Sequence, residues 1–236
     1  MSTSPITSDL ASVIAAARAA QEAIGQPVSD ESAARFARHQ RLKDVLDSLP
    51  IGMRAASRSE LESHIDSRIL AAVLGWHRGH GNLVLMGATS VGKTSGAVHL
   101  VRRLCHEGAI KGGEAFKFAE LIRWQSCREL SELVRETRFG TGTPQEITRC
   151  QNARLLILND VGTDDDKRVL ERVLDARYER KWPTVTTTGL SAKQLGDVFG
   201  DALTRRVFEC GPDRGRFVEI FPPQQTGTRA NLSAIK

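Results

Sequence analysis

The feature that most constrains this chain is a glycine-rich segment, Gly87-Ala88-Thr89-Ser90-Val91-Gly92-Lys93-Thr94, which lies between a short apolar run and a helix-like stretch. Its pattern, GxxxxGK[ST], lets backbone N–H groups curve around an anion, while the N-terminus of the next helix adds a partial positive charge. A chain that carries such a loop between a strand and a helix is expected to build a parallel α/β sheet.

The loop predicts a site for a nucleotide. We expect Lys93 to reach the β- and γ-phosphates of ATP and Thr94 to place its hydroxyl on Mg²⁺, so the predicted cofactors are ATP and Mg²⁺. A structural glycine turn followed by an exposed lysine is the alternative, and the flanking strand and helix argue against it. The residues predicted to hold the nucleotide here are Gly87, Ala88, Thr89, Ser90, Val91, Gly92, Lys93, Thr94 and Ser95.

Such a site also needs an acidic residue at the end of a neighbouring apolar strand, because Mg²⁺ and the attacking water must be held beside the γ-phosphate. The segment Leu155-Leu156-Ile157-Leu158-Asn159-Asp160 fits this requirement. In one register, Asn159 contacts the metal or its waters as a neutral ligand and Asp160 orients the attacking water. In the other register, Asp160 is the metal partner and Val161 occupies the position of the base. Either register predicts slow hydrolysis.

Two later segments carry polar groups that could meet the γ-phosphate. Thr187 and Thr188 end a predicted strand, and Thr188 is assigned to the nucleotide site, although threonine is also a good strand former. Arg205 and Arg206 follow on a predicted helix. Adjacent residues of a helix point about 100° apart, so these two arginines cannot both face one phosphate.

Hydrophobic periodicity and turn residues predict strands that alternate with helices. This alternation is typical of a P-loop NTPase, in which a five-stranded parallel sheet is covered by helices on both faces. The predicted helices are 9–24, 29–50, 57–75, 95–107, 119–137, 166–180 and 191–209. The predicted strands are 82–86, 115–118, 155–158, 185–188 and 216–221.

The length of 236 residues allows one α/β domain with a small appendage. We expect a helical N-terminal module at 1–50, an ATPase domain at 51–221 and a polar tail at 222–236, with no lid domain after Phe221. The net charge of +5 permits contact with nucleic acid, but acidic and basic residues are interspersed. No apolar stretch reaches membrane-spanning length, so we expect a cytoplasmic protein without membrane contacts.

The order of these parts resembles the DnaC/IstB-like helicase-loader branch of the AAA+ ATPases over residues 60–221. The resemblance rests on a tryptophan-containing helix followed by GATSVGKT, LLILNDVG, PTVTTTGLS and RRVFE. The absence of a lid after Phe221 is also similar to this family.

The resemblance implies an ATPase that assembles into an ATP-dependent homo-oligomer, as a ring or a spiral. Arg206 would be the arginine finger that completes a neighbouring subunit's ATP site, with Arg205 as the substitute. Pairing with Glu209 or Asp201 on the chain's own surface is the alternative. The module at 1–50 would bind a replicative helicase, and the assembled ATPase would bind single-stranded DNA.

Two positions depart from the family pattern. The family usually carries Asp where this chain has Asn159, and often Asn near Gly189, which has no side chain. We therefore expect slow turnover of ATP. The residues predicted to be catalytic are Lys93, Asp160 and Arg206, and the predicted metal ligands are Thr94, Asn159 and Asp160.

The preferred function is that of a helicase loader or a related DNA-replication accessory factor. One alternative is a transposition helper ATPase of the IstB type. Another is a nucleotide-gated interaction protein with little hydrolysis, for which Asn159 is the best argument.

Overall fold

The computed structural model describes residues 30–137, 143–209 and 216–221, and these form a sheet layered between helices. The helices are α1 (Asp30–Asp47), α2 (Ile51–Arg54), α3 (Arg58–Ser63), α4 (Ser67–Gly75), α5 (Lys93–Lys111), α6 (Gly113–Ala119), α7 (Cys127–Glu136), α8 (Gln145–Asn152), α9 (Lys167–Glu179), α10 (Ala192–Phe199) and α11 (Asp201–Phe208). The strands are β1 (Leu83–Gly87), β2 (Ile122–Ser126), β3 (Leu155–Val161), β4 (Thr184–Thr188) and β5 (Arg216–Ile220). The predicted helix at 9–24 and the tail at 222–236 lie outside the described residues.

The five strands are parallel and stand in the order β2-β3-β4-β1-β5. Successive side chains of a strand point to opposite faces, and both faces are covered here. In β1, Leu83 and Leu85 enter one apolar cluster, while Val84 and Met86 enter the other. The predicted fold class, a P-loop NTPase with a five-stranded parallel sheet between helices, is confirmed.

Because all strands run the same way, the sheet has two chemically different edges. The carboxyl edge, where the strands end, carries the loop that follows Gly87. The amino edge, where the strands begin, lies one strand length away, which is about 16 Å for the five residues of β1.

Capping residues explain where several helices begin. Ser57 and Ser191 each form a capping box with the residue three positions later, and Asp66 and Asp166 each accept a backbone N–H two positions on. Such side chains satisfy N–H groups that have no partner inside the helix. Among the described residues, no helix is both long and apolar enough to cross a membrane.

The described part of the N-terminal module packs on the ATPase domain. Leu42, Val45 and Leu49 are buried in the same cluster as Leu83 of β1. Arg41 of α1 also forms a 2.7 Å ion pair with Glu120. The boundary predicted at residue 50 therefore does not coincide with a break in packing, and partner binding by 1–50 stays a prediction.

The strand predicted at 115–118 is wrong, because this segment is helix α6. Phe116 and Ala119 are buried three positions apart, as on one face of a helix. A Cβ at Gly108 would lie 2.8 Å from the Cβ of Ala119, so α5 and α6 cross closely. The second strand is β2, which occupies residues that were predicted to be helical, and α8 was not predicted at all.

Two helices predicted as continuous, 57–75 and 191–209, are each broken in two. The first is interrupted at His64–Asp66, where the backbone N–H of Asp66 donates to the carbonyl of Val91 at 3.1 Å. The second is interrupted at Gly200, whose φ of +82° belongs to the left-handed region that favours glycine.

Candidate functional site

The glycine-rich loop leaves β1 at the carboxyl edge and runs into the start of α5. A Cβ at Gly87 would lie 2.3 Å from the carbonyl oxygen of Ile220, and a Cβ at Gly92 would lie 2.2 Å from that of His64. Gly92 also has a φ of +88°. Both glycines are thus required by close backbone approach, which places the loop between β5 and the turn that joins α3 to α4.

Lys93, the first residue of α5, is held over this loop. Its Nζ donates to the carbonyl oxygens of Gly87 at 2.8 Å and Ala88 at 2.7 Å. Burial lowers the pKa of Lys93, and the carboxylate of Asp160 acts in the opposite direction. The ammonium group therefore lies inside the loop, at the N-terminus of a helix, where an anion would be favoured.

Asn159 connects this loop to β3 and β4. The hydroxyl of Thr94 donates to Asn159 Oδ1 at 3.2 Å, and the hydroxyl of Thr187 donates to the same oxygen at 3.1 Å. The Thr187 hydroxyl in turn accepts the backbone N–H of Asp160 at 2.8 Å. Three polar side chains from the loop helix, β3 and β4 therefore meet at one oxygen atom.

A bulge near the end of β3 produces this arrangement. Leu158 pairs with Thr186 and Val161 with Thr188, so β3 carries one more residue than β4 across this stretch. Asp160 has a φ of +61° and an exposed side chain, whereas Val161 is buried. A bulge re-aims side chains in this way. Asn159 therefore faces Thr94, as in the first of the two predicted registers.

Lys93, Thr94, Asn159 and Asp160 line an open cleft of about 1030 Å³ at the carboxyl edge. Gly189 also lines it, and no atom lies within 4 Å of the position that a Cβ would take there. The loop residues that line the cleft are Thr89, Ser90, Gly92, Lys93, Thr94 and Ser95.

Thr188 is not brought to the cleft. It is fully buried, its hydroxyl donates to the carbonyl of Val161 at 2.6 Å, and it accepts the N–H of Leu190 at 3.0 Å. Of the two threonines that the sequence offered, Thr187 is the one beside Asn159. The sequence could not separate them, because the difference depends on the bulge.

The opposite wall of the cleft was missed by sequence reasoning, since no motif marks it. It comes from α2, α3 and the residues that follow each of them, and it comprises Gly52, Met53, Ala55, Ala56, Glu60, Leu61 and His64. Arg102 of α5 holds this wall, because its guanidinium donates to the carbonyls of Met53, Arg54 and Ala56. The adjacent Arg103 donates to the carbonyls of Val73 and Trp76, at the end of α4.

Arg206 lies far from this cleft, at the amino edge. The side chain of Asn82, which immediately precedes β1, donates to the carbonyl of Arg206 at 2.9 Å. The guanidinium of Arg206 forms a 2.6 Å ion pair with Asp175 of α9, whereas Arg205 is exposed and makes no ion pair with the described residues. The sequence left open that Arg206 pairs with Glu209 or Asp201 of the same chain, but neither residue is its partner in the structure.

A family model described as "IstB-like ATP binding protein" matches residues 10–208 of this chain, well over half of its length. The chain belongs to the IstB-like ATP-binding protein family. The match includes the glycine-rich loop, the end of β3 and both arginines of α11. This IstB-like protein is therefore a P-loop ATP-binding protein, as the glycine-rich loop predicted, and of the AAA+ type, as the resemblance implied.

Solved structures share the fold at low sequence identity. "Crystal Structure of the DnaI" aligns with a TM-score of 0.50 at 14% identity and covers 75% of this chain and 93% of that one. "Crystal structure of the DnaC helicase loader" aligns with a TM-score of 0.47 at 16% identity, covering 73% and 96%. AMPPCP-bound DnaA from Aquifex aeolicus aligns with a TM-score of 0.47 at 17% identity, covering 67% and 48%. No curated protein matches the chain in sequence.

Proposed function

We propose that this protein is an ATP-regulated assembly factor that acts on DNA as a loader of a replicative helicase. The observation that carries the assembly part of the proposal is the position of Arg206 at the sheet edge opposite to its own nucleotide cleft. A guanidinium in that position can act only on the ATP of another subunit. The site then becomes complete when subunits meet.

Within one chain, the cleft has the groups that ATP and Mg²⁺ require. The loop glycines and Lys93 fit the phosphates, and the hydroxyl of Thr94 with the amide oxygen of Asn159 offers the oxygen ligands that Mg²⁺ prefers. When bound, Mg²⁺ would neutralise charge on the phosphates. Asp160, exposed at the edge of the cleft, would accept a hydrogen bond from the attacking water and so orient it.

Hydrolysis in this site is expected to be slow. Asn159 can accept the Thr94 hydroxyl as an aspartate would, but it supplies no negative charge. Gly189 leaves open space where a side chain could contact the γ-phosphate. Both differences weaken stabilisation of the transition state, while binding of the nucleotide through the loop is retained.

Assembly would change the partner of Arg206. In the single chain its charge is shared with Asp175, which is itself partly exposed. At a subunit interface the guanidinium would turn to a neighbour's γ-phosphate and stabilise charge that develops during transfer. Arg205, which makes no ion pair with the described residues, is the substitute candidate.

Loading of a helicase is supported by the order of motifs that this chain shares with helicase loaders. Residues 1–50 would contact the helicase, and the assembled ATPase would bind single-stranded DNA. A second candidate is an IstB-type transposition helper that activates a transposase on duplex DNA. The IstB name of the matching family model supports this candidate.

The two candidates can be separated by affinity purification of the full-length protein in MgATP, followed by mass spectrometry. Recovery of a replicative helicase, lost in Lys93→Ala, would support loading. Recovery of a transposase without a helicase would replace the first proposal by the second. Sedimentation with and without ATP, compared with Arg206→Ala, tests assembly separately, and an ATP-independent monomer would contradict it.

A further inference from the structure

The amino edge of the sheet carries a row of basic side chains that the nucleotide cleft does not use. Arg154 directly precedes β3, Arg180 and Lys181 shortly precede β4, and Arg78 precedes β1. All four are exposed. Parallel strands bring these positions together at one edge, although they are far apart in the chain.

The three arginines of this row each form a cation–π contact with one of two aromatic rings. The guanidinium carbons of Arg154 and Arg180 lie 5.0 Å and 5.1 Å from the ring centroid of Trp182. That of Arg78 lies 5.9 Å from the ring of Phe118. Nη1 of Arg180 also donates to the carbonyl of Gln151 at 3.1 Å and to Asn152 Oδ1 at 2.8 Å. Stacking leaves the N–H groups of Arg154 and Arg78 available at the rim of the guanidinium plane.

The two stacks belong to one surface. The backbone N–H of Arg154 donates to the carbonyl of Leu121 at 2.9 Å, and that of Leu121 donates to the carbonyl of Phe118 at 3.2 Å. In agreement with this proximity, the pKa of Glu114 is lowered first by a hydrogen bond from Lys117 and further by the charges of Arg78 and Arg154. The carboxylate of Glu114 is paired with Lys117 at 2.7 Å. We call the surface formed by Arg78, Lys117, Phe118, Arg154, Arg180, Lys181 and Trp182 the amino-edge patch.

The amino-edge patch has an excess of positive charge. Arg78, Arg154, Arg180 and Lys181 make no ion pair with a carboxylate in the described part of the chain. Glu114 is the acidic residue on which the charges of Arg78 and Arg154 act, and its carboxylate is already paired with Lys117. On other surfaces of this protein several arginines do have such partners, for example Arg58 with Glu62 and Arg128 with Glu132.

A basic groove extends the charge beyond the amino-edge patch. The groove has a volume of about 310 Å³ and lies where the last turn of α5, the start of α6 and α1 meet. Arg35, Arg38, His39 and Lys111 line it together with Phe116 of α6, and no carboxylate from the described part of the chain does. Because α5 starts at the carboxyl edge, its last turn lies toward the amino edge, so both features face the same side.

We propose that the amino-edge patch binds the phosphodiester backbone of a nucleic acid. A guanidinium fixed by stacking presents two parallel donors to a phosphate, and its plane, like an aromatic ring, can stack on a base. The proposal deepens the DNA-binding part of the proposed function and rests on it. Since the patch lies one strand length from the nucleotide cleft, a single chain binds DNA through it without ATP.

The test measures fluorescence anisotropy of a labelled single-stranded oligonucleotide and of the matching duplex with the full-length protein. The variant is Arg154→Glu/Lys181→Glu, since neither side chain donates a hydrogen bond to the described residues. The matched control is Arg168→Glu/Lys193→Glu, which reverses two exposed charges at the starts of α9 and α10, at the carboxyl edge. Thermal unfolding checks that all proteins fold alike.

Without nucleotide, the amino-edge variant is expected to bind at least about tenfold more weakly than the control and to lower the salt slope by about 1 to 2. The tighter of the two labelled ligands identifies the strandedness. Equal binding by variant and control, with a folded variant, would overturn the patch while leaving DNA binding by the assembled ATPase intact. If wild-type protein bound neither ligand even in MgATP, the DNA-binding part of the proposed function would fail as well.

Discussion

Replacing Asn159 by Asp tests whether one missing charge limits turnover. The two side chains have the same shape, so the hydroxyls of Thr94 and Thr187 can still donate to the same oxygen. Bonds to a charged acceptor are stronger by about 1 kcal/mol each. This gain is offset by the partial burial of a carboxylate beside Asp160. The free energy of unfolding should therefore change by no more than about 1 kcal/mol, and the melting temperature by about 2–4 °C.

The effect on chemistry should be much larger. A single preorganised electrostatic group near the transferred phosphoryl group typically contributes about 2.7–4 kcal/mol, so phosphate release at saturating MgATP should rise about 10²-fold. ATP affinity, measured by titration of a fluorescent nucleotide, should change far less. Gln194→Glu is the matched control, because it adds one exposed negative charge away from Asn159 and keeps its capping hydrogen bond.

One outcome would refute this reasoning directly. If Asn159→Asp bound ATP normally and melted within the stated range, yet turned over within about twofold of wild type, Asn159 would not limit hydrolysis. The same measurement should be made in the assembled state, because Arg206 of another subunit is proposed to complete the site. A rise that appears only on assembly would still support the prediction.

Three further predictions concern Gly189, the two threonines at the end of β4, and buried Arg177. Gly189→Asn has open space for its side chain, so it should fold normally and raise phosphate release about tenfold, and unchanged release would count against a sensor role at this position. Thr187→Val should lower turnover because Asn159 and Asp160 both lose a partner, while Thr188→Val should cost about 1–3 kcal/mol in urea unfolding without weakening ATP binding. The reverse pattern would show that Thr188 is the sensor. Arg177→Gln should lower the free energy of unfolding by about 3 kcal/mol or more. The reason is that the buried guanidinium donates to Thr184 and to the carbonyls of Cys150, Ala153 and Pro183. The control Arg168→Gln, at an exposed position, should change the free energy of unfolding by less than about 0.5 kcal/mol.

The central sheet was largely predictable from local patterns. β1 and β3 are apolar runs that end in glycine or a polar pair, and Val185 to Thr188 are β-branched. Such segments are buried on both faces in a parallel sheet, so their hydrophobicity and length suffice to predict them. The glycine-rich loop was predictable because its backbone geometry demands particular residues.

The elements that were predicted wrongly are those whose structure depends on contacts between distant segments. Phe116 and Phe118 favour a strand by composition, but the close crossing at Gly108 makes this segment a helix. The real second strand alternates buried Ile122 and Trp124 with half-buried Arg123, a period of two that the apolar residues before it concealed.

The residues of the candidate site also fall into those that the sequence predicted and those that it could not. The sequence predicted Lys93, Thr94, Asn159 and Asp160, and the structure gathers them around one cleft. It could not distinguish Thr187 from Thr188, because one extra residue in β3 decides which hydroxyl reaches Asn159. It also could not predict the far wall of the cleft, since residues 52–64 contribute through backbone packing and not through a motif.

The adjacent arginines of α5 have a consequence for the thermodynamics of ligand binding. Arg102 donates hydrogen bonds to backbone carbonyls of the wall between Met53 and Ala56, and Arg103 donates to carbonyls at the end of α4. The same helix begins with Lys93. Lys93 and the facing wall of the cleft are therefore held by the same helix. Because these hydrogen bonds already fix the wall, we expect a ligand that enters the cleft to order little additional backbone and to lose little binding free energy to chain entropy.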